Sequence, residues 1–309
     1  VSVELIRGIS NIRPRHQNCV IAIGNFDGVH LGHQALLKKT REIAQAAGLP
    51  ACVMTFEPHP AEFFLKEKAA PRLMRLREKY QALAEAGMDR VIVLHFDAEL
   101  ANLSAEDFIQ HILVDQLKAH QVVVGEDFRF GQKRSGDTAL LKSVTTFKTT
   151  TVPAIMWDGQ RISSSRVREA LARGDHALVE RLLGGPYTLR GRVVHGHARG
   201  RIMGFPTANI YLHRALTSVQ GVYAVRMHGV TNRGLPGVAN VGTRPTVGGT
   251  RTLLEVHLFD FNQDIYGRYV CVEFCKKLRD ERRFDHIDLL KEQIFKDAEQ
   301  ARNYFIGES

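Results

Sequence analysis

The periodicity of the chain changes once, at Gly184-Gly185-Pro186, and that change constrains the fold more than any other feature of the sequence. Before the break, apolar runs of strand length and β-branched content alternate with segments of helical spacing. The runs cover 20–23, 51–56, 91–96, 121–125 and 151–156, and the helical segments include 31–47, 75–86 and 104–118. Ser104 followed by Asp107 reads as a helix N-cap with an acidic third position. Strand–helix alternation predicts a parallel sheet with helices on both faces. Two more helices, 164–173 and 177–183, close this half. Beyond the break come six strand-like runs separated only by turn residues, at 187–195, 207–212, 222–228, 235–241, 253–259 and 269–274. Strands without intervening helices predict an antiparallel barrel. An amphipathic helix, 287–305, ends the protein. At 309 residues two cores are the expectation, here α/β over 1–185 and a six-stranded antiparallel β-barrel with a terminal helix over 186–309.

Hydrophobic residues at 44% and charged residues at 24% are ordinary for a soluble globular protein. No apolar run approaches the length of a membrane span, and the opening VSVELIRGIS lacks a signal-peptide layout, so no membrane partner is expected. The first residue is Val1 rather than methionine, which places the expected natural start upstream. Cys19, Cys52, Cys271 and Cys275 form no CxxC pair, and on a strand the last two stand too far apart to bond, so a reducing, cytoplasmic setting is expected. A net charge of +9 suits either a nucleic-acid surface or phosphorylated substrates. The basic residues are spread among Gly-containing loops rather than massed in a block. That spread favours small phosphorylated ligands, and no nucleic-acid partner is expected. Oligomeric state is not legible.

The strongest local signal is the run Gly24 to His33, GNFDGVHLGH, set between a strand and a helix. Glycines there let backbone approach a ligand, and free N–H groups at a helix start attract phosphate. A lone histidine in such a turn usually caps or packs it. His30 and His33 flanking Gly32 can instead donate hydrogen bonds as negative charge builds in a transition state. The run resembles the nucleotidyltransferase superfamily with HxGH signatures, and in its full form the adenylyltransferase module of bacterial bifunctional FAD synthetases. Three further stretches fit that family: Thr55 to Pro60 (TFEPHP), Gly125 to Gly131 (GEDFRFG) and Arg161 to Arg168 (RISSSRVR). The first two follow strands, where open α/β sheets bind ligands. The third is similar to the ISSTxxR element, with Ser165 where threonine is commonest. Taken singly, SSSRVR is a routine N-cap and the phenylalanines are core residues; together and in order they are hard to obtain by chance.

The resemblance implies a Rossmann-like nucleotidyltransferase domain in which the FMN phosphate attacks the α-phosphorus of ATP and pyrophosphate leaves. It implies His30, His33 and Arg168 as catalytic groups acting with Mg²⁺. Gly24, Phe26, Gly28, Gly32, Arg161, Ser164 and Ser165 would bind nucleotide, and Asn25, Phe56, Asp127 and Phe128 would border the flavin.

The second block runs from Gly191 to Asn209, GRVVHGHARGRIMGFPTAN. A glycine-rich turn between strands offers N–H groups to phosphate. Thr207 and Asn209, two apart on a strand, share a face and can both reach a Mg²⁺ ion through oxygen. No GxxxxGK[ST] loop occurs, so a kinase here is not a P-loop enzyme. The block resembles the riboflavin kinase family, and the match continues through Gly221–Val225, Gly237–Thr246, Leu254–Asp260 and the segment from Leu278. It implies Thr207 and Asn209 as metal ligands, and Gly196, Gly200 and Arg201 as nucleotide contacts. It implies Glu255 as the carboxylate that takes the proton of the ribityl hydroxyl, and Arg279 in a flap beside the flavin. A lone Glu between Leu254 and Val256 would otherwise be a surface residue. The implied activities are phosphorylation of riboflavin to FMN and adenylylation of FMN to FAD, with ATP as co-substrate. A different HxGH transferase would leave the second half unexplained, and an RNA-binding barrel would lack a stacking pattern of aromatics. Degeneracy of one module is disfavoured, since every motif position carries a plausible residue.

Overall fold

The structure, a computed structural model, describes residues 3–196, 204–212, 216–246 and 249–307, without the side chains of 244–246 and 249–251. By packing, the chain divides into two units: Val1–Ala70 with Met74–Ser164, and Pro71–Leu73 with Ser165–Ser309.

In the first unit the strands β1 (Glu4–Arg7), β2 (Val20–Ile23), β3 (Ala51–Glu57), β4 (Arg90–His95), β5 (Gln121–Gly125) and β6 (Lys148–Val152) form one sheet in the order β1-β4-β3-β2-β5-β6. Every pairing is parallel. Successive residues of a strand point to opposite faces, so the sheet feeds two cores. Val20, Ala22, Val53 and Val91 pack with Leu36, Leu37 and Leu83 of the helices α1 (Leu31–Ala47) and α3 (Leu76–Glu85). Ile21, Ile23, Met54 and Val122 pack on the other face with Phe108, Ile112 and Leu141. Between α1 and α3 lies the short α2 (Pro60–Leu65), and after β4 come α4 (Ala98–Asn102), α5 (Ala105–Asp107) and α6 (Thr138–Ser143). Ser104 does cap α5, its Oγ accepting from Asp107 N at 2.9 Å, and the helix runs on as a π-helical stretch, Phe108–Gln116.

One strand carried no legible signal, and one expectation needs correction. Residues Glu4–Arg7 carry too short an apolar signal to read as a strand, yet they pair with β4 as an edge. The run 151–156 is not one strand. Pro153 has no N–H to donate, so β6 ends at Val152 and a separate hairpin, β7 (Met156–Trp157) with β8 (Gln160–Arg161), follows.

In the second unit the helices α7 (Ser164–Arg173) and α8 (His176–Leu183) lead into the strands β9 (Thr188–Val194), β10 (Ala208–Tyr211), β11 (Gly221–His228), β12 (Leu235–Thr246), β13 (Gly249–Leu258) and β14 (Tyr269–Arg279). They close into a barrel, β10-β13-β12-β11-β14-β9, with antiparallel pairing throughout. Closure removes the exposed edges an open sheet would leave. The terminal helix α9 (Ile287–Gly307) buries Ala298 and Ala301 against Val222, Ala224 and Val238.

Candidate active sites

In the parallel sheet the strand order reverses beside β2: β3 and β4 lie on one side of it, β5 and β6 on the other. Loops leaving the strand ends at such a reversal part and open a ligand crevice. GNFDGVH leaves β2 there and GEDFRFG leaves β5.

The first of these loops is under strain. Phe26 and Val29 have φ of 50° and 40°, a region that costs a non-glycine residue about 1–3 kcal/mol. The loop is held by side chains. Asp27 Oδ1 accepts from Met74 N at 3.0 Å, the Asp27 carbonyl accepts from Ser164 Oγ at 2.8 Å, and the Asn25 carbonyl accepts from Thr55 Oγ1 at 3.2 Å. Lys79, 2% exposed, donates to the same Thr55 hydroxyl at 3.2 Å. Phe26 is buried, and its ring lies over Gly24.

His30 caps α1, its Nδ1 accepting from His33 N at 3.3 Å. The two imidazoles stack at 3.7 Å with 18° between their planes. Gly32 permits that stack, since a Cβ there would come within 3.2 Å of the His30 ring. Burial, reinforced by the His30 ring, the Lys79 ammonium and the Arg161 guanidinium, pushes His33 well below the usual imidazole value. Its Nδ1 is enclosed and has no hydrogen-bond partner among the described residues. A neutral His33 imidazole at the positive end of a helix can donate to an anion without holding charge of its own.

Arg161 on β8 makes a two-pronged pair with Asp127, one bond of 2.8 Å running from Nη2 to Oδ1 and the other joining Nη1 to Oδ2. The pairing holds the Asp127 carboxyl below its usual range. The nucleotide and flavin candidates at these positions thus hold one another. Phe128 stacks on Phe130 at 5.5 Å, and Phe56 meets the edge of Phe96 at 5.9 Å. Phe63 and Phe64 of α2 join Phe96, with Phe64 62% exposed. Ser165 and Arg168 belong to the second packing unit, where Arg168 Nε donates to the Pro71 carbonyl at 2.7 Å.

In the barrel, register does the assembling. Glu255 on β13 stands opposite Asn209 on β10 and opposite Asn240 on β12, so three polar side chains share one row on one face. Leu254 and Val256 beside Glu255 are buried on the other face. Asn209 is 7% exposed, and its Nδ2 donates to the Thr207 carbonyl at 3.4 Å. Gly196 faces Asn209 so closely that a Cβ there would lie 2.2 Å from Nδ2. Thr207 immediately precedes β10. Gly200 and Arg201 lie outside the described residues. Arg279 is paired with α9: its Nε and Nη2 bind the buried Asp297 carboxylate at 2.7–3.1 Å.

Sequence reasoning passed over Lys79, Asn240, His257 and the Phe63–Phe64 pair. Asn240 carried a signal, being an amide between the apolar Ala239 and Val241 of a strand. Lys79 carried none, since a lysine at helical spacing reads as a solvated face.

Two family models match the chain, one described as FAD synthetase over residues 12–166 and one described as riboflavin kinase over residues 183–305. The chain is 50% identical over 307 residues to a bifunctional riboflavin kinase/FMN adenylyltransferase of Escherichia coli (strain K12), covering 98% of each. It is 48% identical over 306 residues to the protein so described from Haemophilus influenzae, covering 98% of this chain and 99% of that one. A crystal structure described as a macrolide-efflux protein from Streptococcus pneumoniae is similar at 33% identity and a TM-score of 0.82, over 98% of this chain and 99% of that one.

Proposed function

The chain belongs to the family of bifunctional riboflavin kinase/FMN adenylyltransferases, and from that premise we propose which of its residues carry each activity. It phosphorylates riboflavin to FMN with ATP, and adenylylates FMN to FAD with ATP, releasing pyrophosphate. The efflux description of the pneumococcal structure is not carried over; no helix among the described residues is long and apolar enough to cross a membrane. We assign the adenylyltransferase to residues 1–185 and the kinase to 186–309, a division supported by family matches that end at 166 and begin at 183. The four free cysteines support a reducing, cytoplasmic setting.

For adenylylation, an oxygen of the FMN phosphate attacks the α-phosphorus of ATP as the bond to pyrophosphate breaks. No covalent enzyme intermediate is needed, so the residues position the phosphates and stabilise charge. His30 and His33 face the α-phosphate, donating as negative charge grows. The loop 24–30 gives its N–H groups to the nucleotide. Arg161 and Ser164 are assigned to the β- and γ-phosphates. Ser165 and Arg168 keep that role on their motif alone. Phe56, Phe128, Asn25 and Asp127 border the flavin, with Phe64 offering a further open ring face.

For the kinase, Glu255 accepts the ribityl hydroxyl proton as that oxygen attacks the γ-phosphorus. Thr207 and Asn209 would hold Mg²⁺, and the donor set fits: both offer hard oxygen ligands, and the space left by Gly196 admits the Asn209 amide. When bound, the ion offsets charge on the ATP phosphates. Gly196, Gly200 and Arg201 are assigned to the nucleotide, and Arg279, oriented by Asp297, to the flavin border. The observation that carries the kinase assignment is the register setting Glu255 between Asn209 and Asn240.

The test supplies riboflavin, ATP and Mg²⁺ and separates FMN from FAD by chromatography. His30→Ala and His33→Ala are expected to abolish FAD formation and spare FMN formation. Glu255→Gln is expected to lower kinase turnover about 10²–10⁴-fold and spare conversion of supplied FMN to FAD. Equal loss of both activities in a folded variant would overturn the two-site assignment.

A further inference from the structure

We infer that His257 is a positioning residue for the kinase, its Nδ1–H holding the Pro206 carbonyl so that Thr207 and Asn209 are presented to the metal beside Glu255. The inference rests on the reading of Thr207 and Asn209 given above and adds a residue to it.

His257 Nδ1 lies 2.9 Å from the Pro206 carbonyl oxygen. A carbonyl only accepts, so Nδ1 must carry the proton. The bond joins β13 to the residue just ahead of Thr207, where no ladder hydrogen bond can serve: pairing between β10 and β13 starts at Ala208 with Val256. Pro206 has no N–H of its own, so its carbonyl is the one backbone group through which that residue can be tied. His257 stands two residues from Glu255 on the same strand and therefore on the same face. One strand thus carries both the proposed base and the tether for the proposed metal ligands. Aromatic packing fixes the imidazole: its ring meets Phe205 edge-on at 5.2 Å and Phe259 at 6.0 Å, and Phe205 in turn meets Phe295 of α9 at 4.6 Å. With its ring wedged in this way the donor has one direction, towards Pro206.

The test uses the full chain and three substitutions chosen by stereochemistry. In His257→Asn the side-chain N–H₂ sits one bond from Cγ, where Nδ1 was. In His257→Gln the donor lies one atom further out, and in His257→Ala there is none. Kinase kinetics, FMN adenylylation and ligand-free hydrogen exchange of the amides of 207–209 are measured for each. His257→Ala and His257→Gln are expected to raise the KM for Mg·ATP by roughly 3- to 10-fold, the worth of one hydrogen bond. Their KM for riboflavin and their adenylylation of FMN stay unchanged, and exchange at 207–209 becomes faster. His257→Asn is expected to restore both the KM and the slow exchange. A wild-type Mg·ATP KM in His257→Ala would overturn the inference. If His257→Ala fails to fold, equal behaviour of the Asn and Gln variants overturns it instead. Asn209→Ala is run in parallel. Intact Mg·ATP binding in that variant would overturn the metal reading and this inference with it. An impaired Asn209→Ala beside an unaffected His257→Ala would overturn this inference alone.

Discussion

Gly196→Ala is the smallest change that should damage the kinase. Gly196 does not occupy the left-handed region, so alanine meets no backbone penalty and the effect is steric. The new Cβ would lie 2.2 Å from Asn209 Nδ2, 2.4 Å from its Cγ and 2.6 Å from its Oδ1, whereas real Cβ contacts begin near 3.0 Å. Asn209 cannot retreat with its backbone, because β10 is paired on one side with β9 and on the other with β13. The amide must rotate away from the position at which it would meet the metal. Overpacking of this kind costs about 1–3 kcal/mol. Taken from Mg·ATP engagement, that is a loss of about 5- to 150-fold in kinase kcat/KM. The assay follows FMN formation at varied Mg·ATP, with adenylylation of supplied FMN as internal control for folding. A double-mutant cycle makes the reasoning refutable. The three nearest atoms to the Cβ all belong to the Asn209 amide, so in an Asn209→Ala background Gly196→Ala should cost far less. Additive losses, or a fully active Gly196→Ala enzyme, would show that Gly196 does not act by making room for Asn209.

Other consequences can be measured directly. The folded-state value of His33 lies below its ordinary 6.5, so folding opposes protonation; the stability this secures is present above about 6.5 and lost as pH falls below it. His33→Gln should flatten that acid decline in thermal melts, and an unchanged pH dependence would refute the burial argument. Asp297→Ala strands the Arg279 guanidinium and should cost about 3–5 kcal/mol in denaturant unfolding of the barrel; a loss under 1 kcal/mol would show that water replaces the carboxylate. A barrel fragment starting at Ser165 should melt higher than one starting at Gly185. The longer fragment keeps the buried Val179 and Leu182 of α8, and His176 against Tyr223 at 5.5 Å, and equal melting would refute this.

The sequence by itself determined whatever depends on neighbours in the chain. Apolar runs of strand length foretold β2 to β5, because a strand buried on both faces leaves a continuous apolar stretch. Short runs between turn residues foretold the six barrel strands. Ser104 foretold its helix start because capping is a contact three residues long. The motif runs foretold which loops would leave the ends of β2 and β5, since loops at strand ends keep their residues together.

Tertiary structure alone decided whatever depends on residues far apart in the chain. Glu4–Arg7 became a strand only because β4 offers it a partner. His33 is held neutral by enclosure and by cations from α3 and β8, which no spacing around Gly32 reveals. Arg279 is paired with Asp297 of a helix that begins eight residues later, a contact no motif spacing reveals. Asn240 and His257 gained roles from strand register, which sets Asn240 opposite Glu255 and brings His257 to Pro206. Register is a property of pairs of strands: a shift of one residue would move Glu255, Asn209 and His257 to the opposite face without altering a letter of the sequence.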